Sequence, residues 1–325
     1  MIRYTETRVP KGWGLSDTLE GRHAFNPLQR NGPWVTHLED HFASTHQRYA
    51  LAVNSGSTGL LMALLATPGD WVTAQNNTFI AERNAITLAG KAAEFHSGKP
   101  VMNPSSISPD THIAMIASIG GQISMTDEKL WRDALIANPH LTLIHDASHS
   151  PFHVHPDAAI GVISLDYAKP ITGGEGGMLI VKDHVVYERL KAIRDNGRVG
   201  GMVGELTGIN GHMNEMSACL ACWSFTDYSN ARVREIRKYY DERLKVEGAG
   251  GDYIYFYPAK DQDKAWTMRG ALSDAEIQSP VMYQGISRWE KNDWSQRHVV
   301  LPLHRYLTDA EVERVIDVVK GVGEK

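Results

Sequence analysis

The sequence predicts an α/β fold, with a mostly parallel central sheet in a large domain and a small α+β domain at the C-terminus. Short apolar runs alternate with helical segments over the first two thirds of the chain, and this alternation is typical of parallel sheets covered by helices. The pattern changes near residue 212. Hydrophobic residues make up 42% and charged residues 22% of the chain, which excludes disordered and fibrous classes.

The first elements follow from periodicity and turn residues. Apolar side chains recur on one helical face after Pro33, which predicts a helix there; they are Trp34, Val35, Leu38 and Phe42. Buried strands are predicted at 48–53, 71–74, 92–96, 112–118, 141–147, 158–166 and 177–183. Helices are predicted at 57–66, 79–90 and 126–138. The second of these helices ends at Gly90, a residue that commonly closes helices.

The C-terminal third has a different organisation. Residues 214–246 have helical composition and no proline, but the segment is long for one globular helix, so we expect it to bend or to bridge two domains. Strands are predicted at 253–257 and 299–303, and a last helix at 309–322. We therefore predict a large domain at 1–230 and a small domain at 231–325.

Charge and cysteine content limit the class of protein. The chain has 325 residues and a formal net charge of -5. A mildly acidic chain without a basic block argues against nucleic-acid and membrane-surface partners. Two cysteines cannot form a disulfide framework. The N-terminal stretch lacks the apolar core of a signal peptide, and no apolar run reaches the ~18–20 residues of a membrane span. We expect a soluble, cytoplasmic protein.

A polar turn at 54–59 joins a strand to a helix N-terminus. Such a junction directs backbone N–H groups and the positive end of the helix dipole at one spot, which suits a phosphate. Gly56 permits close approach, and Ser57 and Thr58 add hydroxyl donors. The alternative is an ordinary capped turn. The segment lacks the Walker A lysine and the spacing of a dinucleotide fingerprint.

Two further motifs carry ionisable groups. Asp146 stands where a predicted strand ends, and ligands of open parallel sheets bind at such ends. It could hold a cationic ring nitrogen or cap the next turn. Lys169 precedes Pro170 and a glycine-rich turn at 173–177. A buried lysine there could form a Schiff base with an aldehyde, and the alternative is a solvated surface lysine. Together the three motifs supply what pyridoxal 5'-phosphate requires.

These segments resemble the DegT/StrS family of sugar aminotransferases, which have the type I pyridoxal-phosphate fold. The Lys169 segment, SLDYAKPITGGEGGMLIV, is the most specific match. Further segments match in order and spacing, at 50–66, 76–95, 189–198, 208–221 and 299–312. The resemblance implies an aminotransferase that takes nitrogen from an amino-acid donor, glutamate in most of the family, and passes it to a keto acceptor, often a nucleotide-linked keto sugar.

The resemblance also implies roles for individual residues. Lys169 is implied to bind the cofactor aldehyde and to move the proton, and Asp146 to hold the pyridine nitrogen. The implied cofactor contacts are His149 near O3', Phe79 on the ring face, and Ser164, Gly56 and Ser57 at the phosphate. Asn210 is implied to reach the phosphate of the neighbouring subunit, so the expected assembly is a homodimer with shared active sites. No metal ligands are implied.

The sequence departs from the family pattern at several positions. This chain has Leu165-Asp166 where the family has Phe-His. It has His145 where the family has a glutamate, and His212 where the family has an arginine. None of these changes falls on an implied cofactor residue, so they leave open which substrate the protein binds rather than which cofactor. A branch of the family that dehydrates sugars has histidine in place of the lysine, and Lys169 argues against that branch.

Two other functions stay open at this point. The segment 145–155 contains four histidines whose spacing of four resembles helical metal ligands, which suggests a metal-dependent hydrolase. Pro151 interrupts any helix there. A non-catalytic relative that binds pyridoxal phosphate without turning over substrate is the other alternative. Cys219 and Cys222 form a CxxC pair in an apolar segment, which we interpret as buried core.

Overall fold

The computed structural model describes residues 31–96, 102–121, 125–200, 203–283, 285 and 294–323. A seven-stranded sheet has the order β1-β7-β6-β5-β4-β2-β3. Its strands are β1 Tyr49–Val53, β2 Trp71–Gln75, β3 Ala92–His96, β4 Ile113–Ala117, β5 Thr142–Asp146, β6 Ile160–Ser164 and β7 Gly177–Val181. Strand β7 runs antiparallel to β1 and β6, and the other neighbouring pairs are parallel. The predicted α/β class with a mostly parallel sheet is confirmed.

Helices cover the sheet and build the C-terminal third. They are α1 Pro33–His46, α2 Gly56–Ala66, α3 Ile80–Leu88, α4 Met125–Ala137, α5 His184–Arg194, α6 Glu215–Thr226, α7 Ala231–Leu244, α8 Gln262–Asp274 and α9 Asp309–Gly323. Periodicity did not predict α5 and α8. Each begins at an aspartate whose carboxylate accepts backbone N–H groups, Asp183 for α5 and Asp261 for α8. No helix among the described residues is both long and apolar enough to cross a bilayer.

Helix α1 is fixed to the sheet by its apolar face and by a distant carboxylate. Val35, Leu38 and Phe42 are buried, as the periodicity predicts. The N–H groups of Trp34 and Val35 donate to the two carboxylate oxygens of Glu215 at 3.0 and 3.1 Å. Glu215, at the start of α6, therefore satisfies donors that open a helix far away in the sequence.

The long helical segment at 214–246 consists of two helices. Helix α6 ends at Thr226 and α7 begins at Ala231, so the expected bend is a break of four residues. Helices α7, α8 and α9 share a buried core with the two-stranded antiparallel sheet of β8 Tyr255–Pro258 and β9 His298–Leu301. We propose that the boundary between the two domains lies at this break, near residue 230.

The sheet topology brings several strand ends to one edge. Strands β1, β5 and β6 run in the same direction, so their carboxyl ends meet there. Strand β7 begins at that edge, where Gly177 pairs with both Val53 and Ser164. This is the edge at which open α/β sheets bind ligands.

Candidate active site

A cavity of about 590 Å³ opens at this edge of the sheet. The structure brings seven of the eight predicted site residues to its wall, and these are Gly56, Ser57, Phe79, Asp146, His149, Ser164 and Lys169. Asn210 is exposed and is not among the lining residues. Its backbone oxygen accepts a hydrogen bond from Asn54 Nδ2 at 3.1 Å.

The wall formed by β1 and α2 is shaped for an anion. Ser55 caps α2, and its hydroxyl accepts the Thr58 N–H at 3.1 Å. The helix N-terminus offers its first N–H groups and its dipole to the cavity. A Cβ atom at Gly56 would lie 2.8 Å from the Cβ of Ser164. Only glycine therefore permits this approach of the helix to β6, which leaves a cradle fit for a phosphate.

Asp146 is the last residue of β5, and Lys169 lies in the loop that follows the neighbouring strand β6. The Lys169 main-chain N–H donates to the Asp166 carbonyl oxygen at 2.9 Å, in the loop after β6. Burial lowers the pKa of the Lys169 amine, and the carboxylates of Asp146 and Asp166 partly oppose this effect. A lysine with a lowered pKa has more of the unprotonated amine that attacks carbonyl groups.

Among the described residues, few hydrogen-bond donors surround the buried carboxylate of Asp146, which suits the binding of a cationic group. Its Oδ1 accepts the Ser148 N–H at 2.9 Å, and the residue is only 9% exposed. Burial raises the pKa of Asp146, while the hydrogen bonds from Ser148 and the charge of Lys169 act in the opposite direction. A partly compensated buried carboxylate gains from a cationic partner, such as a protonated ring nitrogen.

His149 is held in one neutral tautomer. Its Nδ1 accepts the Gly120 N–H at 3.1 Å, so the ring proton is on Nε2. Nε2 then donates to the Tyr283 hydroxyl oxygen at 3.0 Å. Burial lowers the pKa of His149 well below its usual value, with a smaller contribution from Lys169.

Sequence patterns did not indicate three residues at or beside the cavity. Tyr253 and Tyr283 line it from the C-terminal third. Glu82, in the first turn of α3, is completely buried and accepts a hydrogen bond from the Thr78 hydroxyl. The tyrosines carry no local motif, so only their tertiary position reveals them. A signal for Glu82 was present, since a carboxylate stands on the apolar face of a helix next to the Phe79 segment.

The histidine-rich segment after β5 has separate hydrogen-bond partners. The ring of His145 contacts the Ser118 hydroxyl at 2.6 Å through Nε2 and accepts the His155 N–H at 2.9 Å through Nδ1. His153 Nε2 lies 3.2 Å from a carboxylate oxygen of Glu128. Within the described ranges, no three His, Cys, Asp or Glu side chains form a group that could hold a metal ion. The geometry therefore does not support the hydrolase alternative.

The site residues fit pyridoxal 5'-phosphate. The Gly56 cradle matches a phosphate, the Lys169 amine matches an aldehyde, and the Asp146 carboxylate matches a protonated pyridine nitrogen. All three groups face one cavity. The exposed ring of Phe79 and the imidazole of His149 add flat surfaces to its wall.

Sequence comparisons assign most of the chain to one family. The model of the DegT/DnrJ/EryC1/StrS aminotransferase family matches residues 23–320. The spore coat polysaccharide biosynthesis protein SpsC of Bacillus subtilis is 29% identical over 183 residues, which are 51% of this chain and 46% of SpsC. The chain thus aligns with about half the length of that relative. The dTDP-3-amino-3,6-dideoxy-alpha-D-galactopyranose transaminase of Aneurinibacillus thermoaerophilus is 26% identical, over 90% of this chain and 91% of that protein.

Solved structures share the fold. The Helicobacter pylori aminotransferase PseC, involved in the biosynthesis of pseudoaminic acid, has a TM-score of 0.84 at 18% identity, over 99% of each chain. The PLP-form of the putative sugar aminotransferase Spr1654 from Streptococcus pneumoniae has a TM-score of 0.80 at 18% identity, over 95% of this chain and 94% of that one. At these identities the likeness concerns the fold.

Proposed function

Because the chain belongs to the DegT/DnrJ/EryC1/StrS aminotransferase family, we propose that it is a pyridoxal-phosphate-dependent aminotransferase. It takes an amino group from an amino-acid donor, glutamate, and passes it to a keto acceptor, a nucleotide-linked keto sugar. One observation carries the proposal: Lys169, Asp146 and the Gly56–Ser57 turn converge on a single cavity.

Each site residue has a part that follows from its chemistry. When bound, pyridoxal phosphate supplies an aldehyde and an electron-withdrawing ring that stabilises negative charge at the substrate carbon. The Nζ of Lys169 would hold the aldehyde and, when free, would carry the proton to and from that carbon. Asp146 would accept the N–H of the ring nitrogen and keep it protonated. The N-terminus of α2 at Gly56 and Ser57, with the Ser164 hydroxyl, would bind the phosphate.

Family membership and the names of relatives support the proposed acceptor. The Aneurinibacillus relative is named for a dTDP-linked amino sugar, and its alignment covers nearly the whole of both chains. This supports a nucleotide-linked keto sugar as the acceptor here. Of the departures from the family pattern, Asp166 lines the cavity, whereas His212 lies outside it and contacts Asp195. Asp166 is therefore the departure that we expect to influence which sugar is accepted.

We also propose a homodimer whose two sites are shared. Asn210 is exposed and lies outside the cavity of its own chain. The role that the resemblance implies for it, a contact to the phosphate of the neighbouring site, needs such an exposed position. A second copy would place Asn210 at the partner's Gly56 turn.

The experiment is cofactor binding by purified protein. Added pyridoxal phosphate should produce the visible absorbance band of a Schiff base, and Lys169→Ala should abolish it because the amine is lost. Lys182→Ala, at an exposed lysine beyond β7, is the matched control and should keep the band. Wild-type protein that stays colourless with added cofactor would refute the proposal.

A half-reaction separates an enzyme from a cofactor-binding relative without activity. L-glutamate added to the loaded protein should convert the cofactor to its amine form, with loss of the visible band. A band that no amino acid in a panel of donors changes would favour the non-catalytic alternative, because turnover of a donor alters the cofactor itself.

A further inference from the structure

A loop of the C-terminal third is docked on the strand edge beside the cavity. The carbonyl oxygen of Gly120 accepts the N–H groups of Gly251, Tyr253 and Ile254 at 2.9, 3.1 and 3.1 Å. Gly120 has a φ of 72°, and a Cβ atom there would lie 2.9 Å from the Cα of Gly250. The two backbones therefore meet at a distance that only glycine allows. This contact fixes where the side chain of Tyr253 points.

Tyr253 reaches the lysine from that loop. Its hydroxyl donates to the carbonyl oxygen of Ala168 at 2.9 Å, one residue before Lys169. The centre of its ring lies 5.4 Å from Lys169 Nζ. The same ring contacts the imidazole of His149, with 4.4 Å between ring centres. Tyr253 is only 8% exposed, so these contacts are made away from bulk water.

We propose that Tyr253 is a positioning residue for Lys169. Its hydroxyl fixes the peptide that precedes the lysine, and its ring face holds the amine over the cavity. This inference rests on the proposed function, because it concerns how that lysine is prepared for an aldehyde. It also gives the C-terminal third a direct part in the cofactor site.

Two physical effects support the proposal. Anchoring the Ala168 carbonyl restricts the main chain from which the lysine side chain extends, so less freedom is lost when the amine is held in place. The negative face of an aromatic ring attracts an ammonium group within about 6 Å. The ring, Asp146 and Asp166 thus stabilise the charged amine, while burial of the lysine acts against the charged form. The relative strength of these opposing effects determines which fraction of Lys169 is unprotonated near neutral pH.

The test measures the lysine without cofactor. Full-length protein freed of cofactor is treated with an amine-selective acylating reagent over a range of pH, and labelling of the Lys169 peptide is followed by mass spectrometry. Tyr253→Leu should raise the labelling rate near neutral pH about three- to tenfold, because loss of the ring face favours the unprotonated amine. Tyr253→Phe keeps the ring and should stay within about twofold of wild type.

The pH profile distinguishes positioning from shielding. In Tyr253→Leu the midpoint of the labelling curve should move to lower pH while the rate at high pH stays the same. A higher rate at high pH with an unchanged midpoint would show that Tyr253 only blocks access, and would overturn the proposal, as would identical Phe and Leu profiles. Tyr257→Leu, a half-buried tyrosine on β8 outside the cavity, is the matched control. Tyr253→Met replaces the Leu variant if that variant does not fold.

A second readout separates this proposal from the proposed function. Pyridoxal phosphate should enter Tyr253→Phe more slowly than wild type, because the hydroxyl that anchors Ala168 is lost. Wild-type protein that never forms the visible band would remove the proposed function, whereas the labelling profile would still report on Tyr253 and Lys169. Wild-type protein that forms the band, with unchanged labelling and uptake in the Tyr253 variants, would remove only this inference.

Discussion

Burial determines whether two carboxyl groups at or beside the cavity, those of Glu82 and Asp146, are charged. Glu82 is 0% exposed, its Oε1 accepts the Thr78 hydroxyl, and its Oε2 has no hydrogen-bond partner among the described residues. Burial raises the pKa of Glu82 well above its usual value, and the nearby negative charge of Asp146 acts in the same direction. Two buried carboxyl groups with little compensation do not both ionise. Glu82 is the one we expect to keep its proton, which leaves the charge on Asp146.

Replacing Glu82 should therefore change how stability depends on pH. The unfolded chain ionises this carboxyl above about pH 4.5, but the folded chain does not, so Glu82 makes folding progressively less favourable as pH rises. Glu82→Gln has the shape of the protonated acid and no such dependence. The variant should gain stability relative to wild type between pH 4.5 and 7.5, measured by urea unfolding. Glu205→Gln, at an exposed position, should show no such gain.

Two buried histidines, one in β5 and one after it, should make the folded chain less stable at acid pH. Burial lowers the pKa of His145 to about 3 and that of His155 to about 4, from an unfolded value of 6.5. At a pH between the folded and unfolded pKa values, both histidines are protonated in the unfolded chain but neutral in the folded chain. The free energy of unfolding therefore falls as pH drops from 6.5 toward 4. Each pKa unit corresponds to about 1.4 kcal/mol.

The test is urea unfolding at pH 7.5 and pH 5. His145→Gln should lose less stability than wild type between the two pH values, because one group that must stay neutral has been removed. The exposed His140, changed to Gln, should leave the wild-type loss intact. An equal loss in all three proteins would contradict a role for His145.

Sequence reasoning found the residues whose chemistry is tied to a local motif. Lys169 is marked by its glycine-rich turn, Asp146 by the end of a strand, and Gly56 by a strand–helix junction. Tyr253 and Tyr283 could not be found this way, because nothing local distinguishes a tyrosine that enters a cavity from one in a core. The position of Tyr253 depends on a backbone contact at Gly120, and that of Tyr283 on hydrogen bonds with Asn77 and His149, all of which only the folded chain forms.

Among the elements, α1, β1 and α5 are joined by a buried ion pair. Arg194, at the end of α5, donates to Glu39 Oε1 at 3.0 Å and to the Ala52 carbonyl oxygen at 2.8 Å. The same Glu39 oxygen accepts the Ala52 N–H at 2.8 Å. Burial raises the pKa of Glu39 even though Arg194 acts against it. No local sequence motif marks Arg194, and the structure shows that its side chain is buried.

Removing either Arg194 or Glu39 alone should lower the stability of the folded chain. Arg194→Met should lower the unfolding free energy by about 3 kcal/mol, because Glu39 and the Ala52 carbonyl are left without their donor. The double variant with Glu39→Leu should recover part of the loss, which a double-mutant cycle in urea measures. Lys191→Met, which breaks an exposed pair with Glu188 and a cation–π contact with Tyr187, is the control and should cost about 1 kcal/mol or less. An equal cost for Arg194 and Lys191 would contradict the assignment.

The elements show where periodicity is informative and where it fails. The strands of the large sheet were predicted to within a few residues because each is a compact apolar run. Helix α8 was missed because its buried side chains, such as Ala265 and Met268, are spread among charged residues. The break between α6 and α7 contains no proline or glycine. Its cause is tertiary, since α6 packs with α1 and α7 packs in the C-terminal core.

At the scale of the whole molecule, the cavity has contributions from both ends of the chain. The strand edge supplies Lys169 and Asp146, and the C-terminal third supplies Tyr253 and residues 281–283. Tyr283 has a φ of 58°, an uncommon conformation for a tyrosine, and its carbonyl oxygen accepts from Asn77 Nδ2 at 2.9 Å. Strained residues that the surrounding structure holds in place cluster at ligand sites. The position of the C-terminal third should therefore influence which acceptor enters.

The proposed exchange of Asn210 between subunits can be tested by mixing two defective proteins. Lys169→Ala lacks the amine, and Asn210→Ala lacks the side chain that we propose contacts the phosphate of the neighbouring site. In a dimer with shared sites, one hybrid site combines Lys169 from one chain with Asn210 from the other and is intact. Statistical mixing of two-fold symmetric dimers should restore about a quarter of the wild-type sites. These are counted by the amplitude of the glutamate half-reaction after unbound cofactor has been removed.

The controls determine whether recovery comes from shared sites. Each variant mixed with itself should stay at its own low amplitude through the same dissociation and reassembly. Lys169→Ala mixed with Asp146→Asn is the negative control and should give no recovery, because both side chains line the same cavity of one chain. Recovery to about a quarter of the wild-type sites with Asn210→Ala depends on the residue acting across the interface, because a residue that served its own chain would leave every site of the mixture with a defect. An amplitude no higher than the average of the two parent proteins would therefore place Asn210 outside the partner's site.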